Sequence, residues 1–94
     1  MNEYRQKSKQ YLDTATEFVK TNLRDERIYD EEMKHLCTIA ASVMMTRDKY
    51  MAGGGFVQAV VDNDLAAAVG RADDTCIKGL RILVLVKLWC HIKE

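Results

Sequence analysis

The side chains best suited to chemistry are His35, Cys37, Cys76, Cys90 and His91. Imidazole and thiolate are what a zinc ion takes, and a structural zinc site wants four of them, usually as two close pairs such as Cys-x-x-Cys. The close pairs here are His35-x-Cys37 and Cys90-His91. Adjacent residues on a helix point about 100° apart, so neither pair closes readily on one ion. Cys37 and Cys76 fall on apolar stripes, and inert core thiols are the expectation, with no metal site and no cofactor. Nucleophilic catalysis needs a thiol or hydroxyl beside a base. Ser8 and Ser42 sit in no elbow motif, and His35 and Cys37 do not share a helix face. No enzymatic activity is expected. Gly53-Gly54-Gly55 lacks the Lys and the preceding strand of a phosphate loop, so it reads as an interhelix turn using φ > 0. Asp62, Asp64, Asp73 and Asp74 do not make a calcium loop, because the run Leu65-Ala66-Ala67-Ala68-Val69 stands where that loop should be, and they read as caps and solvated helix ends.

One charge pattern carries functional content. Residues 25–32 read Asp-Glu-Arg-Ile-Tyr-Asp-Glu-Glu, five acids against one base, with Ile28 and Tyr29 in the middle. One reading is a solvated loop ending in a helix cap. The other is a docking patch for a basic protein surface, made by Asp25, Glu26, Tyr29, Asp30, Glu31 and Glu32. Acidic charge steers the encounter and an aromatic anchors it.

Such a patch has to be held by helices. The apolar positions Tyr4, Tyr11, Leu12, Ala15, Phe18, Val19 and Leu23 make one stripe over roughly residues 3–23. Residues 24–30 have no sustained period and connect it to a second helix. Asp30 is the expected N-cap there, and Glu31 and Glu32 suit the helix dipole. Met33, Leu36, Cys37, Ala40, Val43 and Met44 form its buried stripe, which fades between Met45 and Met51. Met44, Met45 and Met51 are all expected in the core. Beyond the glycines, Phe56 to Ala72 holds a helical period, with a break expected near Asp62-Asn63-Asp64 because Asn63 or Asp64 can cap a new helix. Gly70 is read as a site of close backbone approach, and Arg71 as a partner for a carboxylate at that corner. Asp73 is the expected cap of a final helix over roughly 74–92. Its run Ile82 to Val86 is rich in β-branched residues, but no second strand candidate exists to pair with it, so it is read as helix. Being apolar on most faces, that helix is placed at the centre of the bundle or at a dimer interface.

Composition limits the rest. The chain has 94 residues, 14 Lys plus Arg against 14 Asp plus Glu, and no proline. That is the size of one domain, residues 1–94. A zero net charge argues against a dedicated nucleic-acid binder or a polybasic membrane module. Three cysteines are an odd number for a disulfide framework, so free thiols in a reducing cytoplasm are expected. The N-terminus lacks the apolar run of a signal peptide. The apolar run Ile82–Val86 is closed by Lys87, whereas a bilayer span needs about 20 residues.

The string Met51-Ala52-Gly53-Gly54-Gly55-Phe56-Val57-Gln58-Ala59-Val60-Val61-Asp62-Asn63-Asp64-Leu65, continued by Ala66-Ala67-Ala68-Val69-Gly70-Arg71-Ala72-Asp73, resembles small bacteriophage and prophage proteins. These share a Gly-Gly-Phe-(Val/Leu)-x-Ala-Val-x-x-Asn-Asp-Leu core followed by Ala-(Val/Phe)-Gly-Arg-Ala-Asp. Many continue into a Tyr-Asn-x-x-Pro segment and a Cys-Trp-Gly end, where this chain has Leu88-Trp89-Cys90-His91 and no proline. The resemblance implies a phage context, in which small single-domain proteins act by stoichiometric binding, anti-CRISPR inhibitors among them. The expectation is therefore an all-α bundle of four to five helices that binds a host defence protein in the bacterial cytoplasm. Two alternatives stand beside it. One is a phage structural or regulatory homodimer seamed by the last helix. The other is weak nucleic-acid binding through Arg5, Lys7, Lys9, Lys78 and Arg81.

Overall fold

A computed structural model describes residues 2–23 and 28–92, with side chains from Gln6 onward. Six helices follow in chain order: α1 (Asn2–Asn22), α2 (Asp30–Arg47), α3 (Gly55–Val61), α4 (Leu65–Arg71), α5 (Asp74–Lys78) and α6 (Leu80–Trp89). Among the described residues there is no strand. The radius of gyration is 12.4 Å, the value of about 12 Å expected of a single globule of this length.

The long helices form where the apolar period is unbroken. α1 buries Tyr11, Ala15 and Val19, four residues apart along one face. α2 buries Leu36, Cys37, Ala40, Ala41, Val43 and Met44 and packs against α1, α3, α5 and α6. Leu36, Met44, Ile82, Leu83, Val19, Val43 and Val86 are the largest side chains enclosed completely, so the core lies where α1, α2 and α6 meet. Met45 is partly buried, while Met51 is exposed, contrary to the expectation for that methionine.

Local chemistry sets the breaks. Asp64 accepts from the Ala67 amide and caps α4. Asn63 takes the left-handed conformation at φ 62° and turns the chain between α3 and α4. Asp73 caps α5 by accepting from the Cys76 amide. At α2 the cap is Tyr29, not Asp30, which is the first helical residue. Glu32 reaches back to accept from the Tyr29 amide at 3.3 Å, one arm of a capping box.

The last helix differs from the sequence reading. The expected segment 74–92 is two helices, which raises the count from four or five to six among the described residues. The break falls at Gly79, where an added Cβ would lie 2.5 Å from Leu36 Cδ1. α5 is thereby pressed onto α2 at a point where only glycine fits. α6 buries Ile82, Leu83 and Val86 but exposes Val84, Leu88 and Trp89, so it is not enclosed on all sides.

Space, not dihedral freedom, also explains Gly53 and Gly55 in the glycine run. No glycine among the described residues has positive φ. A Cβ on Gly53 would meet Val57 Cγ1 at 2.6 Å, and one on Gly55 would meet Arg71 Nη1 at 2.7 Å. Arg71 thus packs on a glycine instead of serving a carboxylate. Gly70 is the reverse case: nothing lies within 4 Å of its Cβ position, so it is no site of close approach.

Arg47, the last residue of α2, ties the bundle's ends together. Its Nη1 donates to Val86 O at 3.1 Å, Lys87 O at 3.0 Å and Cys90 O at 2.6 Å. Positive charge at the carboxyl end of α6 suits the helix dipole. Arg47 Nε also pairs with Asp48 Oδ1 at 2.8 Å, and Asp48 Oδ2 accepts from Tyr11 Oη at 2.9 Å. Arg47 holds the Asp48 carboxyl below its usual value. Burial, then the hydrogen bond to Asp48, pushes the Tyr11 phenol up to about 12.

Candidate functional site

The acidic segment sits at the entry of α2. Tyr29 is 72% exposed, and Asp30 and Glu31 are exposed beside it. Neither carboxylate has a partner among the described residues. The segment 28–32 lines a shallow depression. Asp25 and Glu26 lie outside the described residues.

Glu32 plays a different part. Its carboxylate accepts from Lys78 Nζ at 3.2 and 3.0 Å and from Thr75 Oγ1 at 3.1 Å. These bonds bring the start of α2 against α5. The Lys78 hydrogen bond, followed by the Tyr29 amide, keeps the Glu32 carboxyl below its usual value. The same ammonium lies 5.8 Å from the centre of the Tyr29 ring, within cation–π range. Lys78 therefore supports the aromatic from one side while Glu32 fixes the backbone under it. Of the six acidic-segment residues singled out from sequence, the structure leaves Tyr29, Asp30 and Glu31 presented outward and turns Glu32 to an internal role.

A second cluster was not foreseen from sequence. His35 on α2 meets the N-terminal turn of α5, where His35 Nε2 lies 2.8 Å from Asp73 Oδ2. Cys76 stands one helical turn beyond Asp73, and one ligand atom from each of the three lies within 4.8 Å of the others. The imidazole and carboxylate are exposed, whereas the sulfur is buried. Burial, then the nearby Asp73, pushes the Cys76 thiol up to about 12. The Cys76 amide, ahead of His35, holds the Asp73 carboxyl below its usual value. These three residues have the donor types to hold a transition metal. A cleft of about 280 Å³ adjoins them, bounded also by Ile39, Ser42, Phe56 and Arg71. The only sequence hint was that His, Asp and Cys all occur. Their meeting depends on how α5 docks against α2.

The other thiols are enclosed. Cys37 and Cys90 are buried and free, and burial raises the Cys90 thiol above its usual value. His91 lies instead along a cleft of about 480 Å³ between α1 and the segment after α6, with Asp13, Glu17, Phe18 and Trp89 on its walls. No helix among the described residues is long and apolar enough to cross a membrane.

No family model, curated protein or solved structure matches the chain.

Proposed function

We propose that this chain is a small helical protein-binding module that inhibits a bacterial host defence protein by stoichiometric docking, in the manner of anti-CRISPR proteins. The observation that carries the docking reading is Tyr29, 72% exposed at the entry of α2 with the exposed acids Asp30 and Glu31 beside it. A large exposed aromatic costs solvation that a partner surface recovers, and aromatic anchors dominate binding energy. The two carboxylates add steering toward a basic partner. The phage-like string at residues 51–73 supports the defence-inhibitor context, and a host-cytoplasmic location goes with that reading. Asp25 and Glu26 add two further acids to this run in the sequence.

The test is capture of partners by the tagged chain from lysates of bacteria carrying defence complexes, at low and moderate salt. A stoichiometric partner held by the wild type and lost by Tyr29→Ala supports the reading. A partner held equally by both variants removes Tyr29 from it. Asp30→Lys with Glu31→Lys is the matching charge test. Glu32 is left intact, because its loss would loosen α5.

A second reading has its own observation. Val84, Leu88 and Trp89 on α6 are exposed, Leu88 by 50% and Trp89 by 70%. That face suits the seam of a phage structural or regulatory homodimer. A monomeric mass by sedimentation at high protein concentration would remove it.

A further inference from the structure

We propose that His35, Asp73 and Cys76 form a three-ligand site for a zinc-type divalent ion, with the fourth coordination position facing the cleft beside Phe56 and Arg71.

The ligand atoms are set by the fold from two directions. Asp73 and Cys76 are brought to one end of α5 by the cap itself, since the Cys76 amide donates to Asp73 Oδ1 at 2.8 Å. That bond orients the carboxylate so that Oδ2 faces α2. His35 approaches from α2, with Nε2 2.8 Å from that oxygen. The sulfur lies beneath, buried, so that all three atoms fall within 4.8 Å of one another. Zinc bonds of about 2.0–2.3 Å in tetrahedral array place ligand atoms roughly 3.3–3.8 Å apart. A small separation of His35 from Asp73 and a small approach of Cys76 convert one arrangement into the other.

The donor set is selective. One thiolate, one imidazole and one carboxylate suit zinc and neighbouring transition ions better than calcium or magnesium, which take oxygen alone. Asp73 already has an outer partner in the Cys76 amide, the kind of second contact that orients a metal ligand. Three protein ligands with an open position beside a cleft match the pattern of a zinc that keeps a water, not of a closed structural site. Binding replaces the Cys76 sulfur's proton with the metal bond, and the proton leaves to solvent. His35 binds in its neutral form through Nε2.

The experiment uses the full chain, stripped of metal and kept reduced with a phosphine, and titrated with Zn²⁺ in competition with a chromogenic chelator. One equivalent of bound zinc is expected. Loss of an outer-shell partner typically weakens metal binding about 10–100-fold, so loss of a ligand should weaken it by at least about 100-fold. His35→Ala and Asp73→Asn are the main variants. His35 is exposed, and asparagine keeps the α5 cap, so both should fold, as circular dichroism would verify. Cys90→Ser, away from the cluster, should bind as the wild type does. Substitution with Co²⁺ should give a sulfur-to-metal charge-transfer band that disappears in Cys76→Ser. Absence of a stoichiometric zinc, or wild-type affinity in His35→Ala, would overturn the site. A cobalt band that survives in Cys76→Ser would do the same, because another thiol would then be the ligand.

Discussion

Replacing Arg47 with methionine should be among the most damaging single changes in the chain. The aliphatic stem is kept and the guanidinium is lost. In the wild type one nitrogen, Nη1, faces three carbonyls at the end of α6 and just past it, at 2.6–3.1 Å. That nitrogen carries two hydrogens, so the three contacts amount to two full bonds. Hydrogen bonds to a charged group contribute about 1.5–3 kcal/mol each. The carbonyls at a helix end regain some water when the arginine is removed, which lowers the loss to about 2–4 kcal/mol. At roughly 4–8 °C per kcal/mol for a domain of this size, the melting midpoint should fall by about 8–32 °C. Thermal and urea unfolding followed by circular dichroism would measure it. A double-mutant cycle with Asp48→Asn would separate the Asp48 contact from those made to α6. A midpoint within about 2 °C of wild type would refute the reasoning, because it would mean that the three carbonyls are equally well served by water.

Other perturbations follow from single contacts. Gly79→Ala forces a Cβ to within 2.5 Å of the enclosed Leu36 and should cost about 1–3 kcal/mol. Gly70→Ala, with open space at its Cβ, should raise stability by up to about 1 kcal/mol in the same urea assay. Thr46 Oγ1 is buried with no hydrogen-bond partner among the described residues; Thr46→Val should raise the urea midpoint, since an orphaned hydroxyl costs about 1–3 kcal/mol. Asp48, Glu32 and Asp73 all have carboxyls held below their usual values. A depressed carboxyl adds stability above its unfolded value, so this contribution should be lost as pH falls below about 4. Asp48→Asn should make the urea midpoint less sensitive to acid over that range; an unchanged slope would count against the Arg47–Asp48–Tyr11 network.

The parts of the fold legible in the sequence were those decided locally. Asp64 and Asp73 cap because a short carboxylate reaches the amide three residues on, and the break at 62–64 follows from that chemistry. The stripes on α1 and α2 were legible because a 3.6-residue period needs no knowledge of the partner surface. What escaped was decided across the bundle. One glycine inside an apolar run costs a helix only about 1 kcal/mol, so Gly79 gave no local reason to divide 74–92. The reason is Leu36, on another helix. Likewise Gly53 and Gly55 were read as dihedral devices, and they are points of contact with Val57 and Arg71.

The candidate sites divide the same way. The exposed acids were legible as a run of charge in the sequence. Glu32's inward turn was not, because Lys78 and Thr75 reach it from α5. His35 was weighed against Cys37, its neighbour in sequence, whereas its partner in space is Asp73, 38 positions away. Ligand spacing rules assume that a site is built within one segment. Here a helix face and a helix cap supply it jointly.

The proposed function is inhibition of a host defence protein through the Tyr29 face. Its most direct measurement is phage plating on a panel of bacterial hosts, each carrying one active defence system and expressing either this chain or Tyr29→Ala. Plating should be restored on one of those hosts by the wild type and not by the variant, with both proteins present at equal levels. Plating that stays suppressed on every host in the presence of the wild-type chain would contradict it.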